Sequence, residues 1–234
     1  AGVISRDLEN HFFGRVGLFR NQVGDQLLKK ADLVVTIGYD PIEYEASNWN
    51  KELDTKIINV DEEHAEITNY MQPVKELIGN IADTIDMISK HVDEPFINQN
   101  HLDELERLRA EVTEATGIKA THKDGVMHPI EIIETMQKVL SDDTTVTVDV
   151  GSHYIWMARK YRSYNPRHLL FSNGMQTLGV ALPWAISAAL VRPNTQVVSV
   201  AGDGGFLFSG QELETAVRKN LNIIQLIWND GRYN

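Results

Sequence analysis

The stretch VVSVAGDGGF at residues 197–206 is followed by IIQLIWND at residues 223–230. Each begins with an apolar run and leads to an aspartate, and Asp203 and Asp230 are 230 − 203 = 27 positions apart. With the helix-like segment between them, this predicts a strand, a tight glycine turn, a helix and a second strand. The carboxyl ends of parallel strands face the ligand crevice of an open sheet. Two carboxylates beside glycine amides there favour a site for a hard divalent cation and phosphates.

Composition limits the classes of function. The chain has 234 residues, 42% hydrophobic and 24% charged, which is typical of a globular protein with one large or two ordinary domains. The formal net charge of −11 argues against a nucleic-acid partner, because phosphate backbones attract basic surfaces. A phosphorylated ligand stays compatible with it, since a metal ion inverts the local field. The absence of cysteine excludes disulfides, thiol catalysis and zinc–thiolate sites.

Signals for membranes or export are missing from this sequence. No apolar run reaches the roughly 18 residues that a membrane span needs, and residues 1–7 do not resemble a signal peptide. We therefore expect a cytoplasmic protein with no membrane partner. Because the chain starts without methionine and stops at Asn234, soon after the last predicted strand, we also expect a fragment of a longer polypeptide.

Helix-like and strand-like segments alternate along the chain. In the first third, an amphipathic segment at 23–30 precedes apolar strands at 31–38 and 56–61, and a helix is predicted at 81–92. Such strands between helices indicate a parallel sheet covered on both faces. The later predictions are helices at 130–140, 154–161, 178–190 and 211–219, with strands at 144–150 and 168–171 and from 197 and 223.

The charged stretch 103–114 is predicted to be a solvated face of a connecting helix. The fold class expected is therefore α/β, with two Rossmann-like parallel-sheet domains joined by a helical linker and the second domain truncated. The predicted boundaries are residues 1–95 for the first domain, 96–126 for the linker and 127–234 for the second domain.

The candidate site residues also have plain structural interpretations. Asp203 is compatible with a simple turn, but two nearby carboxylates repel each other unless a cation joins them, which favours the metal–phosphate hypothesis. Gly202, Gly204 and Gly205 agree with it, because amides without a neighbouring side chain approach a phosphate closely. His153 is equally compatible with a bond to phosphate and with a structural role.

Fingerprints of several other folds are absent. The sequence has no P-loop, no Gly-x-Gly-x-x-Gly after an early strand and no Gly-x-Ser-x-Gly elbow.

Leu178 flanks a turn before an apolar helix, and core packing is the better interpretation of that residue from the sequence pattern alone.

The motif Gly-Asp-Gly at 202–204, followed after 24 residues by Asn-Asp at 229–230, resembles the signature of thiamine-diphosphate-dependent enzymes. Flanking segments look like the catabolic, flavin-independent acetolactate synthases of that family, and they cover nearly the whole chain. These segments are 14–22, 38–44, 172–184 and 228–230. The resemblance implies a central domain followed by the first part of a diphosphate-binding domain.

The resemblance also implies roles for named residues. Asp203, Asp230 and the backbone carbonyl of Arg232 would hold Mg²⁺, although relatives often carry asparagine in place of Asp230. The diphosphate and the thiazolium pocket would be lined by two groups of residues. These are Gly202, Asp203, Gly204 and Gly205 on one side and Gly151, Ser152 and His153 on the other. Leu178 falls where the family places an apolar wedge under the bent cofactor.

The implied reaction joins two pyruvates into 2-acetolactate with loss of CO₂. The implied cofactors are thiamine diphosphate and Mg²⁺, without FAD, and the implied partner is a second copy of the full chain in a homodimer or homotetramer. No catalytic residue is expected in this fragment, because the family's activating glutamate belongs to the missing amino-terminal domain, so the fragment alone is expected to be inactive. The alternatives are an FAD-containing biosynthetic acetohydroxyacid synthase, another thiamine enzyme, or a non-catalytic assembly fragment.

Overall fold

A computed structural model describes residues 4–17, 22–42, 44–52, 55–92, 99–116, 126–172 and 174–231. The chain forms two compact units. One comprises residues 13–115, and the other comprises residues 1–12 together with 116–234. No helix in the described ranges has both the length and the apolar character that crossing a bilayer requires. The domain boundaries predicted from sequence stay a prediction.

The unit of residues 13–115 is built on a three-stranded parallel sheet. Its elements are α1 (Val23–Lys30), β1 (Leu33–Ile37), a 3-10 helix (Ala46–Asn48), β2 (Lys56–Asp61), β3 (Lys75–Ile78), α2 (Ile81–Ser89) and α3 (Gln99–Thr116). The strands lie in the order β1-β2-β3. A capping box between Gln22 and Asp25 begins α1, and two lysines in its last turn suit the helix dipole. The predicted bounds of α1 and β2 match those observed.

This first sheet is better covered on one face than on the other. Val34 and Ile57 pack in a core with Trp49 and Met71. The alternate side chains of β1 are 45% exposed at Leu33, 48% at Val35 and 51% at Ile37. The prediction of a sheet covered on both faces is therefore wrong for β1. Alternation along a strand points successive side chains to opposite faces, so an apolar run does not by itself show that both are buried.

The second unit contains a four-stranded parallel sheet. A 3-10 helix at Arg6–His11 belongs to it, and the later elements are α4 (Pro129–Val139), β4 (Thr145–Val148), α5 (Ser152–Lys160), β5 (Leu169–Phe171), α6 (Ala181–Val191), β6 (Val197–Gly202), α7 (Asp203–Ser209), a 3-10 helix (Gly210–Glu212), α8 (Leu213–Arg218) and β7 (Ile223–Trp228). The strand order is β5-β4-β6-β7, with every pairing parallel. The predicted α/β class with two parallel sheets is confirmed.

The middle strands of the second sheet are buried on both faces. All four residues of β4 are buried, as are the first five of β6. Val146, Val148 and Val200 are fully enclosed in the main core. The hydroxyl of Thr147, which is polar and buried, donates to the carbonyl of Ala181 at 2.8 Å and so is satisfied.

The strand order creates a topological switch point in this sheet. From β4 the chain passes through α5 to β5 on one side, and α6 then returns it to β6 on the other side of β4. The connections that leave β4 and β6 therefore diverge, which opens a crevice between their carboxyl ends. Ligands of open α/β sheets bind at such places.

The glycine-rich segment after β6 differs from the prediction. Residues 203–205 form the first turn of α7 instead of a tight turn, and Gly202 is its N-cap residue with extended φ and ψ of −70° and 164°. Asp203 is favourable there because a carboxylate in the first turn complements the helix dipole. The helix predicted at 211–219 is a 3-10 turn followed by α8. Packing of α7 against β6 and β7 overrides the low helix propensity of glycine.

Candidate functional site

A cavity of about 250 Å³ opens at the carboxyl ends of β4 and β6, where the strand order reverses. Its lining comes from the turns after β4, β6 and β7 and from the loop before α6. The lining residues are Val150, Gly151, Ser152, His153, Gln176, Leu178, Gly202, Asp203, Gly204, Gly205, Trp228 and Asp230. The structure thus brings together every candidate site residue that it describes. Arg232, the remaining candidate, lies outside the described residues.

Two helices begin at the cavity wall. Gly151 is the N-cap of α5 and Gly202 is the N-cap of α7, so the first-turn amides of both helices are close to the cavity. Gly151 has φ of +146°, and a Cβ there would lie 2.9 Å from the Nδ1 and Cε1 atoms of His153. A side chain at Gly151 would therefore be strained and would displace His153. Together, the two helix starts favour an anionic ligand such as a phosphate.

His153 presents an unsatisfied ring nitrogen. The residue is 2% exposed, and its Nε2 atom is buried without a hydrogen-bond partner among the residues that the structure describes. Burial lowers the pKa of His153, although the charge of Asp149, a hydrogen bond with the Asp149 backbone and the charge of Asp230 act in the opposite direction. The imidazole ring lies 6.3 Å from the Trp228 ring, centroid to centroid. His153 is therefore a buried polar side chain with one uncompensated nitrogen, and it forms part of the cavity wall.

Asp203 and Asp230 supply two carboxylates to the same cavity. One oxygen of Asp203 accepts a hydrogen bond from the amide of Gly204 at 3.0 Å, which orients the side chain within the first turn of α7. No group of three metal-ligating side chains occurs within the described ranges. This donor set fits Mg²⁺, because that ion combines one or two carboxylates with oxygens from water and from phosphates of the ligand.

Leu178 projects from a loop of unusual backbone conformation. Gln176 has φ of +46° and Gly179 has φ of +82°, so the loop turns sharply on both sides of Leu178. Leu178 lines the cavity together with His153 and Asp203. The interpretation of Leu178 as core packing alone is therefore incomplete, since the residue is also part of the cavity wall.

Three cavity residues and one supporting residue were not among the sequence candidates. Val150, Gln176 and Trp228 line the cavity. Asp149 lies behind it, 1% exposed, and its carboxylate accepts hydrogen bonds from the backbone on both sides of the cavity. Its position after a β-branched run is the same signal that marks Asp203, so the strand-end pattern was sufficient to find it. Nothing in the sequence pattern distinguishes Gln176 from other loop residues.

Comparisons with known families match most of this chain. Residues 1–88 match the family model described as "Thiamine pyrophosphate enzyme, central domain". Residues 149–234 match "Thiamine pyrophosphate enzyme, C-terminal TPP binding domain". The second match contains the turns after β6 and β7 and begins at Asp149.

Curated relatives point to the same family. "Acetolactate synthase" of Bacillus subtilis (strain 168) is 52% identical over 233 residues, covering 100% of this chain and 41% of the relative. "Acetolactate synthase, catabolic" of Raoultella terrigena is 44% identical over 239 residues, covering 100% of this chain and 42% of the relative. "Acetolactate synthase isozyme 1 large subunit" of Escherichia coli (strain K12) is 27% identical over 219 residues, covering 93% and 38%.

The chain spans about two fifths of the length of the first two relatives. The central-domain match contains the three strands of the first sheet, and the C-terminal-domain match contains β5, β6 and β7 of the second sheet. The chain belongs to the thiamine pyrophosphate enzyme family.

Proposed function

We propose that this chain is part of a flavin-independent acetolactate synthase of the catabolic type, which converts two pyruvates into 2-acetolactate and CO₂. The observation that carries the proposal is the cavity at the switch point, which is lined by two carboxylates, by the starts of two helices and by His153. The names of the relatives, at 52% and 44% identity, support this reaction.

The proposed cofactors are thiamine diphosphate and Mg²⁺. Asp203 and Asp230 would hold the metal ion, with the backbone carbonyl of Arg232 as a further ligand. A metal ion held by these residues would offset the repulsion between the two carboxylates and the diphosphate, since all three carry negative charge. The first-turn amides of α5 and α7, at Ser152 and Gly205, would donate to diphosphate oxygens, and Gly204, whose amide donates to Asp203, would line the same part of the site.

His153 and Leu178 would shape the rest of the site. His153 would line the ligand pocket on the α5 side of the cavity. Leu178 would contact the rings of thiamine diphosphate and exclude water from the reacting centre. When bound, thiamine diphosphate supplies the nucleophilic carbon and the electron sink for decarboxylation of the first pyruvate. The protein's contribution is orientation and a dry pocket, which lowers the entropy cost of bringing the second pyruvate into place.

The residues of this chain account for cofactor anchoring and leave the activating group to the rest of the protein. We infer that the complete protein works as a homo-oligomer, a dimer or tetramer, in which another copy completes the site. We also infer that the chain alone makes no acetolactate, that the enzyme is cytoplasmic, and that it needs no FAD. Its formal charge of −11 supports the absence of a nucleic-acid partner.

Assays of the complete protein test the proposal. Pyruvate consumption should depend on added thiamine diphosphate and Mg²⁺, should yield acetolactate, and should be unchanged by added FAD. A flavin absorption spectrum in the purified protein would favour the biosynthetic, FAD-containing type instead. Acetaldehyde or acetyl phosphate as the main product would contradict the synthase and would indicate a decarboxylase or an oxidase, respectively. Acetolactate made by residues 1–234 alone would contradict the inferred inactivity of the fragment.

A further inference from the structure

The carboxylate of Asp149 is fully enclosed and is bonded to three backbone amides. Asp149 is 1% exposed. Its Oδ1 accepts from the amide of Val150 at 2.8 Å and from the amide of Gly179 at 2.9 Å. Its Oδ2 accepts from the amide of Ala181 at 3.3 Å. A buried charge with three donors is compensated, so Asp149 serves to hold these segments together.

The three amides belong to two segments next to the cavity. Val150 lies in the turn after β4, directly before Gly151. Gly179 directly follows Leu178, and Ala181 is the first residue of α6. Val180, the N-cap of α6, makes no side-chain capping bond, so a side chain 32 residues away caps this helix. The positive end of the α6 dipole favours the negative charge of Asp149.

The loop that carries Leu178 is also confined from the other side. A Cβ on Gly179 would lie 2.6 Å from the Cβ of Phe208 on α7. A Cβ on Gly205, in the first turn of α7, would lie 3.3 Å from the carboxyl carbon of Asp149. The loop therefore fits between the Asp149 carboxylate and Phe208, and the first turn of α7 packs against the same carboxylate.

We propose that Asp149 is a positioning residue. It fixes the position of Leu178 relative to the rings of a cofactor whose diphosphate is bound elsewhere in the cavity. The inference rests on the proposed function for the identity of that cofactor. Asp149 touches neither metal nor ligand in this role, and it acts through the amides of Gly179 and Ala181. Displacement of a supporting group by about 1 Å costs on the order of a hundredfold in rate.

The test compares two ligands that share the anchor and differ in the rings. In the complete protein with saturating Mg²⁺, titration calorimetry would measure the affinity for thiamine diphosphate and for inorganic pyrophosphate. Asp149→Asn keeps the shape but replaces one acceptor oxygen with an amide that cannot accept from Ala181. We expect about ten- to hundredfold weaker binding of thiamine diphosphate and less than about threefold change for pyrophosphate.

A matched control and a double variant separate positioning from general damage. Thr147→Val removes the neighbouring bond from β4 to the Ala181 carbonyl and leaves the Leu178 loop untouched, so it should bind both ligands like the parent protein. In a Leu178→Ala background, Asp149→Asn should have little additional effect, because the group that it positions is gone. Thermal unfolding of each variant checks that it is folded.

Several results would overturn the positioning role. Equal losses for both ligands, or losses that add in the double variant, would make Asp149 a general structural residue. If Asp149→Asn does not fold, the Leu178→Ala comparison of the two ligands replaces it, and an unchanged ligand ratio there contradicts the inference. A parent protein that binds thiamine diphosphate no tighter than pyrophosphate also contradicts it. A parent that shows the ligand preference but makes no acetolactate would instead refute the proposed function alone.

Discussion

The two sheets of this protein are built from similar strands, yet the described strand orders differ. In the first sheet the order β1-β2-β3 follows the chain, whereas the second sheet reverses at β4. Each sheet also has an aspartate at a strand end. Asp61 ends β2 and accepts a hydrogen bond from the amide of Glu62 at 2.7 Å, which is a local turn contact. Asp203 follows β6 at the reversal and faces the cavity. An aspartate at a strand end therefore lines a cavity in the sheet whose chain connections diverge.

The largest expected effect comes from replacing Asp203, the aspartate that follows β6 in the second sheet. Asp203→Ala in the complete protein should weaken binding of thiamine diphosphate in the presence of Mg²⁺ by at least about a hundredfold, because it removes a proposed ligand of Mg²⁺. Asp61→Ala is the matched control and should change that affinity by less than about twofold. Calorimetry measures both. Comparable losses in the two variants would show that strand order does not select the site.

The second effect concerns how the strands are buried. Val200 in β6 is 0% exposed, whereas Val35 in β1 is 48% exposed. Val200→Ala should lower the free energy of unfolding of its unit by about 2 kcal/mol, and Val35→Ala by less than about 0.5 kcal/mol. Native-state hydrogen exchange measures each unit separately, which avoids assuming a single two-state transition. Equal effects would mean that the open face of β1 is covered in solution.

A smaller effect should come from pH and should be confined to the second unit. Burial lowers the pKa of His153 in the folded protein below its ordinary value of 6.5. In the window below 6.5, the unfolded chain binds the proton first, so the free energy of unfolding falls as the pH falls through this window towards the folded pKa. Above pH 6.5 this loss of free energy of unfolding is absent. The melting temperature measured from pH 8 to pH 5 should show this loss.

His153→Gln supplies the control for the pH experiment. The melting temperature of the variant should depend less on pH than that of the parent. The difference between the two melting temperatures should change below pH 6.5 and stay constant above it. An identical pH profile in both would assign the acid sensitivity to other groups. Protection of β1 amides should change less than that of β4 amides in the same window.

The smallest effect should come from the segment that precedes the first sheet in the chain and belongs to the second unit. The guanidinium of Arg6 makes two hydrogen bonds to Asp142, at 2.6 Å and 3.0 Å, and lies 4.1 Å from the Tyr164 ring centroid. The Arg6 guanidinium beside Asp142 lowers the pKa of that carboxyl. Because these groups are solvent-exposed, Arg6→Ala should speed hydrogen exchange of the 3-10 helix only a few-fold, and less in high salt. Faster exchange in β1 would place the segment with the first unit instead.

Local pattern was sufficient for most of the elements. Apolar runs rich in β-branched residues predicted β2 and β6, and an amphipathic pattern with basic residues in its last turn predicted α1, since these signals depend on neighbours within a few residues. The glycine-rich turn after β6 was the main error. Helix start and turn use the same residue types, so only packing of α7 against the sheet decides between them.

The residue types alone fix which chemical groups are available, because the Gly-Asp-Gly motif and the two strand-end aspartates have the same charge and size wherever the chain folds. The place where these groups meet depends on the tertiary structure. The reversal of strand order at β4 brings His153, Leu178 and Asp203 to one cavity, and no local signal encodes it. The role of Asp149 is likewise a tertiary property, since two of the amides that it binds lie 30 and 32 residues away. Such contacts depend on how whole strands and helices pack, which the spacing of residues along the chain does not specify.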